Sequence, residues 1–390
     1  MNLLDLILIV IAIGYGLAGY LQGFLVNLVS TIGLVIGGLL AIGLMPVVMG
    51  DHRPSAKSSV IALLIVVLVA AVGQAIGTYV GHDLRRGLSG RTMRSLDALA
   101  GGALSVVTVL VATWALGYAV SGSGIPVLSS QVRSSTVLSS VDGVMPKQAN
   151  GVLSAFNRVL DANLFPRYMD PFEPEKITSV GPPDPGSSHT AGVRKASASV
   201  VKIVGSANCQ RGLEGSGFVY APNRIMTNAH VVAGVSEPVV YTGNQRMRAR
   251  VVLFDPQTDI AVLATRGLHL PALSFDKSGR PGDDAAVLGY PENGPFDVQS
   301  ARIRSKQNLR SPDIYDRGQV TRSTWSLRAL VRSGNSGGPV VSLEGRVYGV
   351  IFAGSVSDSQ TGYALTAEQV ADDAERGRQA TTPVSTGSCA

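Results

Sequence analysis

The chain has 390 residues, 45% of them hydrophobic, and a formal net charge of +6 from 33 Lys and Arg against 27 Asp and Glu. That length allows two or three domains, and so apolar a composition, with positive mean hydropathy, points to a part that lives in a membrane. The basic residues are scattered without interleaved aromatics, which argues against a nucleic-acid partner, and two cysteines without a Cys-x-x-Cys or His-rich cluster give no basis for a metal site or a cofactor.

Four apolar segments come first in chain order. "LLDLILIVIAIGYGLAGYLQGFLV" opens at Leu3 and "LVSTIGLVIGGLLAIGLMPVVM" follows Asn27; "SVIALLIVVLVAAVGQAIGTYVG" starts at Ser59 and "ALAGGALSVVTVLVATWALGYAV" at Ala98. Each holds about 20 residues, enough to cross about 30 Å of hydrocarbon as a helix, so spans are expected at about 3–21, 27–49, 59–81 and 98–120. A cleavable signal peptide would carry positive charge where Asp5 stands, and four successive spans argue against one. Loop 82–97 holds Arg85, Arg86, Arg91 and Arg94, whereas loop 50–58 holds only Arg53 and Lys57. The positive-inside rule then puts the first loop in the cytoplasm and everything after residue 120 outside the cell membrane, on the periplasmic side. Gly33/Gly37 and Gly73/Gly77/Gly81, at four-residue spacing, let helices approach closely. Asp5 and Asp97 fall at span ends, where water and helix N-termini tolerate a carboxylate, so they do not by themselves mark a transport pathway. The stretches "NLLDLILI", "GYLQGF" and "SLDALAGGALS" resemble the colicin V production protein family, which implies four-span topology and no particular chemistry.

From Ser121 to about Lys195 the composition turns to Ser, Pro and Gly, the mark of a linker. "VMPKQANGVLSAFNRVLDANLF" fits one amphipathic helix with Val152, Leu153, Phe156, Val159, Leu160 and Leu164 on one face. "GPPDPGSSHTAG", residues 181–192, reads as extended and flexible, a natural place for cleavage.

Beyond residue 196 come short β-type runs broken by Gly, Pro and Asn or Asp, among them "ASVVKIVG", "GSGFVYA", "RIMTNAHVV", "DIAVLAT", "DAAVLGY" and "RVYGVIFAG". Many strands with short connections point to an all-β barrel or sandwich over 196–390, closed by one helix near Ala367 to Arg378. Two histidines lie in this region. His269, in "GLHLPAL", reads as a surface or core-edge residue, and His230, in "MTNAHVVAG", would alone be structural more often than catalytic. Asp259 stands ahead of an apolar strand in "DPQTDIAVL", and Ser336 sits in "GNSGGP". Together they supply, in the order His, Asp, Ser, the three side chains of activated-serine chemistry: an imidazole to take the hydroxyl proton and a carboxylate to hold the imidazole. Gly334 and Ser336 would offer backbone N–H groups to an oxyanion, Gly334 without a Cβ penalty. The same "GNSGG" fits the nucleophile elbow of α/β-hydrolases, but that fold needs a helix directly after the serine and a histidine later in the chain, whereas "GGPVVSLEGRVYGVIF" reads as a hairpin and no histidine follows Ser336.

"GSGFVY", "IMTNAHVVAG", "DPQTDIAVL", "GNSGGPVVSLEGRVYGVIFAG" and "GYALT" resemble, in order, the successive blocks of trypsin-like serine endopeptidases, especially the HtrA-type bacterial branch. The resemblance implies a chymotrypsin-like double β-barrel of two six-stranded barrels, divided near residues 275–285, with His230 as base, Asp259 as its orienter, Ser336 as nucleophile and Gly334 with Ser336 as the oxyanion hole. A four-span domain, about 1–121, joined through a linker, 122–195, to such a protease resembles the membrane-bound acid-resistance serine proteases of mycobacteria. That implies protein or peptide substrates in the cell envelope, the bilayer as the other partner, and a role in acid or oxidative stress. Cys209 and Cys389 fit an outside placement as a disulfide, with two free buried thiols as the alternative. Leu330 and Val331, where family pockets keep their floor, imply a small or apolar side chain before the scissile bond. Two rival functions are a scaffold whose protease-like domain only binds, and a transporter regulated by that domain; the intact His, Asp and Ser motifs oppose the first and the lack of buried charge in the spans opposes the second.

Overall fold

The computed structural model describes residues 1–49, 56–85, 91–121, 126–146, 172, 174–209, 212–243, 245–315 and 317–389. The chain divides into two compact units, Met1–Leu164 with Pro171–Pro174, and Phe165–Asp170 with Glu175–Ala390.

Helices α1 (Leu3–Gln22), α2 (Phe24–Met49), α3 (Ala56–Arg85) and α4 (Arg91–Val120) dominate the first unit. All four are long and apolar enough to cross a membrane, and the protein is membrane-anchored. The glycines do what their spacing predicts: a Cβ on Gly33 would lie 2.2 Å from the Gly73 carbonyl oxygen, and one on Gly77 would lie 2.4 Å from that of Val29, so α2 and α3 touch backbone to backbone. The two acids at span ends are hydrogen-bond hubs. Asp97 accepts from Arg85 Nε at 3.1 Å and from Leu25 N at 3.2 Å, while Arg85 Nη1 donates to the Leu21 carbonyl at 2.8 Å, tying the α1–α2 turn to the α3–α4 end. Asp5, wholly buried, accepts from Asn2 N, Ser135 Oγ and Val137 N at 2.9, 2.6 and 3.1 Å. That carboxylate thereby fastens α1 to the start of α6 (Thr136–Val144), which follows the short α5 (Pro126–Arg133).

The amphipathic helix expected around Val152 to Leu164 lies outside the described residues. The flexible tether expected at 181–192 is corrected by the structure. Asp184 caps a 3-10 turn, Pro185–His189, and Thr190 caps α7 (Ala191–Ser197), which buries Val193 and Ala196. Upstream, Arg304 Nη1 and Arg328 Nη1 donate to the carbonyls of Thr178 and Val180 at 2.8 and 2.7 Å. Glu175 accepts from Tyr363 Oη at 3.0 Å and Val356 N at 3.2 Å. Side-chain caps and arginine donors turn a Pro/Gly/Ser-rich stretch into a strap fixed to the β domain.

The strands are β1 (Val200–Ser206), β2 (Gly212–Ala221), β3 (Arg224–Thr227), β4 (Val239–Thr242), β5 (Gln245–Arg248), β6 (Arg250–Asp255), β7 (Ile260–Ala264), β8 (Asp284–Gly289), β9 (Asp297–Pro312), β10 (Gln319–Arg328), β11 (Pro339–Val341), β12 (Val347–Gly354) and β13 (Thr361–Thr366). The first seven form one sheet, ordered β5-β4-β1-β2-β3-β7-β6, and the rest a closed barrel, β10-β13-β12-β11-β8-β9. The first half is thus a curled barrel of seven strands where six were expected, because the short β5 pairs with β4 from Val239↔Arg248 to Thr242↔Gln245, and among the described residues no strand pairing closes it between β5 and β6. The break between halves falls between β7 and β8, at the expected place. A single buried cluster runs through both, with Phe218, Met226 and Ile260 of the first meeting Leu288, Val350, Phe352 and Tyr363 of the second. The final helix, α8 (Ala371–Gln379), returns to the first sheet, where Tyr220 Oη donates to the Ala374 carbonyl at 3.0 Å. The tail continues along it, Val384 N donating to Val251 O and Gly234 N to Thr386 O, and ends in a Cys209–Cys389 disulfide across a sequence separation of 180. Closing such a loop is worth roughly 5 kcal/mol by chain entropy.

Several carboxylates of the β domain titrate away from their ordinary range. The Arg302 guanidinium, hydrogen-bonded to Asp284, holds that carboxyl low; at Asp358 burial pushes upward, and the Thr361 hydroxyl, the Gln360 amide and Arg304 outweigh it. Asp373 goes the other way, raised by burial and by neighbouring Asp255. The depressed groups contribute stability that is complete above the unfolded carboxylate range and is lost only as pH falls through their folded values; the raised group weakens the fold at neutral pH and is relieved as pH drops. Thermal unfolding of the β domain, followed by circular dichroism of the intact chain in micelles, is therefore expected to stay level or rise slightly from pH 7 to 5 and to fall below about pH 4. A steady fall from pH 7 to 5 would contradict this balance.

Candidate active site

His230 lies on a single helical turn, Ala229–Val232, directly after β3, and Asp259 closes the 255–259 loop directly before β7. Because β3 and β7 pair, with Thr227 opposite Ala261, the two residues emerge side by side. Asp259 Oδ2 and Oδ1 lie 2.9 and 3.1 Å from His230 Nδ1, and Oδ1 also accepts from His230 N at 3.0 Å. Asp259 is wholly buried and its backbone is left-handed at φ +65°, a conformation in which short polar side chains are several-fold enriched. Asn228 Nδ2 fixes its carbonyl at 2.9 Å. The carboxylate can therefore do one thing for the imidazole: hold the tautomer with the proton on Nδ1, leaving Nε2 as the acceptor.

Ser336, 3% exposed, arrives from the second barrel in the loop between β10 and β11. Asn335 N donates to the Arg332 carbonyl at 3.0 Å, and Gly334 has φ +88° while Ser333 does not have a positive φ, which defines a type II turn over 332–335. Arg332 Nη2 anchors the start of the turn on Asp297 at 2.6 Å, and Asn335 Oδ1 accepts from Arg332 N at 2.9 Å. The Ser333 carbonyl accepts from Glu292 N at 2.7 Å, so across a trans peptide the Gly334 N–H points the opposite way. The Asn335 carbonyl is likewise taken by Gly338 N at 2.9 Å, which turns the Ser336 N–H away from it.

The loop is clamped by β2. Ser216 N donates to the Ser336 carbonyl at 2.8 Å, Ser216 Oγ donates to the Gly334 carbonyl at 2.6 Å and accepts from Tyr290 N at 2.8 Å, and Thr227 Oγ1 donates to the Ser216 carbonyl at 2.7 Å. A Cβ on Gly215 would stand 2.7 Å from a Val231 methyl and 3.1 Å from the Ser336 carbonyl oxygen, so a larger residue here would press on both the helical turn carrying His230 and the Ser336 turn. Ser216, Thr227, Asn228 and Asn335 were not singled out from sequence, since each matters through a partner brought near by folding. His269 is exposed and apart from these contacts, as expected. Among the described residues no group of three or more His, Cys, Asp or Glu gathers as a metal site.

A double barrel with a buried carboxylate on an imidazole and a glycine-turn serine across the seam defines a trypsin-like serine protease. Residues 215–350 match the trypsin-like peptidase domain, and residues 4–146 match the colicin V production protein family. The serine protease Rv3671c of Mycobacterium tuberculosis H37Rv is 36% identical over 390 residues, covering 99% of this chain and 98% of that one. The crystal structure of the Rv3671c protease in its active form aligns with a TM-score of 0.54 at 44% identity, over 57% of this chain and 98% of that one. The Do-like serine protease HtrA of Lactococcus lactis MG1363 is 30% identical over 187 residues, 43% of this chain and 46% of that one. The chain belongs to the family of trypsin-like serine proteases that includes Rv3671c, and it is a serine endopeptidase.

The turn geometry makes one substitution decisive. A Cβ at Gly334 would meet the Tyr290 carbonyl oxygen at 2.4 Å in a backbone conformation that side chains resist, whereas Gly318 faces open space with ordinary φ. Gly334→Ala is expected to lower kcat/KM on a peptide substrate by about 100-fold or more, with Gly318→Ala unchanged and both folded by circular dichroism.

Proposed function

We propose that peptide bonds are hydrolysed by a triad of Ser336 as nucleophile, His230 as general base and acid, and Asp259 as the group that orients the imidazole. The carrying observation is the two-oxygen grip of buried Asp259 on His230 Nδ1 beside the clamped Ser336 turn. Ser336 Oγ attacks the scissile carbonyl carbon while His230 Nε2 takes its proton; the resulting oxyanion accepts from the N–H groups of Gly334 and Ser336. The C–N bond then breaks, the imidazolium gives its proton to the leaving amine, and water repeats the sequence on the acyl-enzyme to release the acid and restore Ser336. Leu330, 44% exposed, and Val331, whose methyl reaches to 2.3 Å of where a Cβ on Gly362 would stand, support a preference for small or apolar side chains before the scissile bond.

In this reading the catalytic domain faces the extracytoplasmic side, because the arginines of residues 82–97 favour the cytoplasm, and its substrates are envelope proteins. A role in acid or oxidative stress is supported by the mycobacterial kinship alone. The chain also cleaves itself in the 166–195 linker, and since the strap from Glu175 onward is hydrogen-bonded to the second barrel, the scissile bond is expected in the part of that range before Glu175. Labelling by a fluorophosphonate probe is expected in the wild type and not in Ser336→Ala; equal labelling of both would refute the nucleophile assignment. Mass spectrometry of the intact preparations should find a truncated form beginning before residue 175 in the wild type only, and the same fragment in Ser336→Ala would rule out self-cleavage.

A further inference from the structure

Arg322, on β10 of the second barrel, is the largest side chain among those fully buried. Its Nη1 donates to the Pro312 carbonyl at 3.0 Å and to Ser311 Oγ, both on its own hairpin, but its Nε reaches into the first barrel and donates to the Gln257 carbonyl at 2.7 Å. Gln257 stands two residues before Asp259. Within the 255–259 loop, Asp255 Oδ1 accepts from Gln257 N at 2.9 Å and Thr258 N at 3.0 Å, and the Asp255 carbonyl accepts from Asp259 N at 3.0 Å. These bonds shape the loop's inner side and leave its outward carbonyls to be met from elsewhere. The β9–β10 hairpin meets them: Arg322 takes Gln257, and Ile314 N donates to Pro256 O at 3.3 Å. Ile314 itself packs on Ala229, the first residue of the turn carrying His230, and on Ala233 just after it.

Burying a guanidinium is unfavourable unless its donors are used, and an apolar side chain often serves as well where only packing is required. Spending one of those donors on a loop of the other barrel fixes something an apolar residue cannot: the height and tilt of a short loop whose last residue is a left-handed, buried carboxylate. We propose that Arg322 is a positioning residue for Asp259, holding the 255–259 loop from the second barrel so that the carboxylate meets His230 Nδ1 with both oxygens. The inference rests on Asp259 and His230 acting as the proposed pair. It makes the acid and base of the first barrel dependent on the second, as Ser216 makes the serine turn of the second dependent on the first.

The test uses the full chain in detergent micelles with a peptide substrate and compares wild type, R322M, R322K, D259N and the R322M/D259N double variant. R322M is expected to lower kcat by about 10- to 100-fold with KM nearly unchanged, since misplacing a catalytic group by a fraction of an ångström has that scale of effect. R322K, which keeps the charge and one donor, should recover part of the loss. In the D259N background R322M should change kcat by less than about twofold, because a residue acting through Asp259 has nothing left to act on. A purely structural arginine would lower both backgrounds by the same factor, and that outcome overturns the proposal. If R322M does not fold, R322K decides: a reduced kcat with a shifted downfield proton resonance of His230 Nδ1–H supports positioning, and wild-type kcat with an unshifted resonance overturns it. If D259N alone leaves kcat unchanged, the triad reading fails, and the positioning role goes with it for a reason distinct from the other outcomes.

Discussion

Everything chemical in the β domain depends on a seam where the two barrels exchange buried hydrogen bonds. Ser216 is its centre: amide, carbonyl and hydroxyl are all engaged, and each partner except Thr227 belongs to the second barrel. Such a residue is not replaceable piecemeal, because each lost partner leaves a buried donor or acceptor unmet at a cost of about 1–3 kcal/mol. A seam in which Ser216 meets its partners so completely holds the Ser336 turn and the His230–Asp259 pair, which come from different barrels, in a fixed relation, as the proposed triad requires.

The reach of the sequence follows the range of each interaction. His230 and Ser336 stand out as candidates in the sequence because histidine is scarce beyond residue 196 and glycines flank the serine, and Asp259 joins them only through the order His, Asp, Ser. Strands such as Ile260–Ala264 are legible because they are continuous apolar runs, buried on both sides. The two longest strands of the second barrel are harder: "DVQSARIRSKQNLRSP" and "QVTRSTWSLR" are rich in arginine, lysine and glutamine, two of their arginines, Arg304 and Arg322, turn out to be buried, and the apolar inner face is marked by little more than Ala301, Ile303, Trp325 and Leu327. β5, "QRMR", has three exposed polar residues of four and adds the seventh strand without any hydrophobic signal. Ser216 and Arg322 escape reading altogether, since Gly334 lies 118 residues from one and Gln257 lies 65 from the other.

The membrane half and the β domain solve the same problem with opposite means. In lipid, where apolar side chains gain nothing by meeting one another, α2 and α3 associate through glycines that bring backbones into contact, and Asp5 and Asp97 act only at the helix ends. In the β domain, apolar burial fills the barrels and the polar groups are concentrated where the halves meet. The acids at the span ends are thus structural anchors, and Ser336 sits in a turn that is hydrogen-bonded from both barrels.

That seam also needs protection from the outside, and the two chain ends supply it crosswise. The segment before β1 belongs in sequence to the first sheet, yet it lies on the second barrel: Thr190 Oγ1 donates to the Leu343 carbonyl at 2.7 Å, and Gly192 sits so close to Glu344 that a Cβ would be 2.3 Å from its backbone. The segment after β13 belongs in sequence to the second barrel, yet it lies on the first, where Arg224 donates to the Gly377 and Ala380 carbonyls and the disulfide closes on Cys209. Each barrel is therefore held by the other's end of the chain. Separating them would require both straps to lift together, so the cost of exposing the buried hydrogen bonds of the seam is coupled to the cost of releasing the ends. Reading 181–192 as a flexible tether misses this, because Thr190 and Gly192 lie against the second barrel instead.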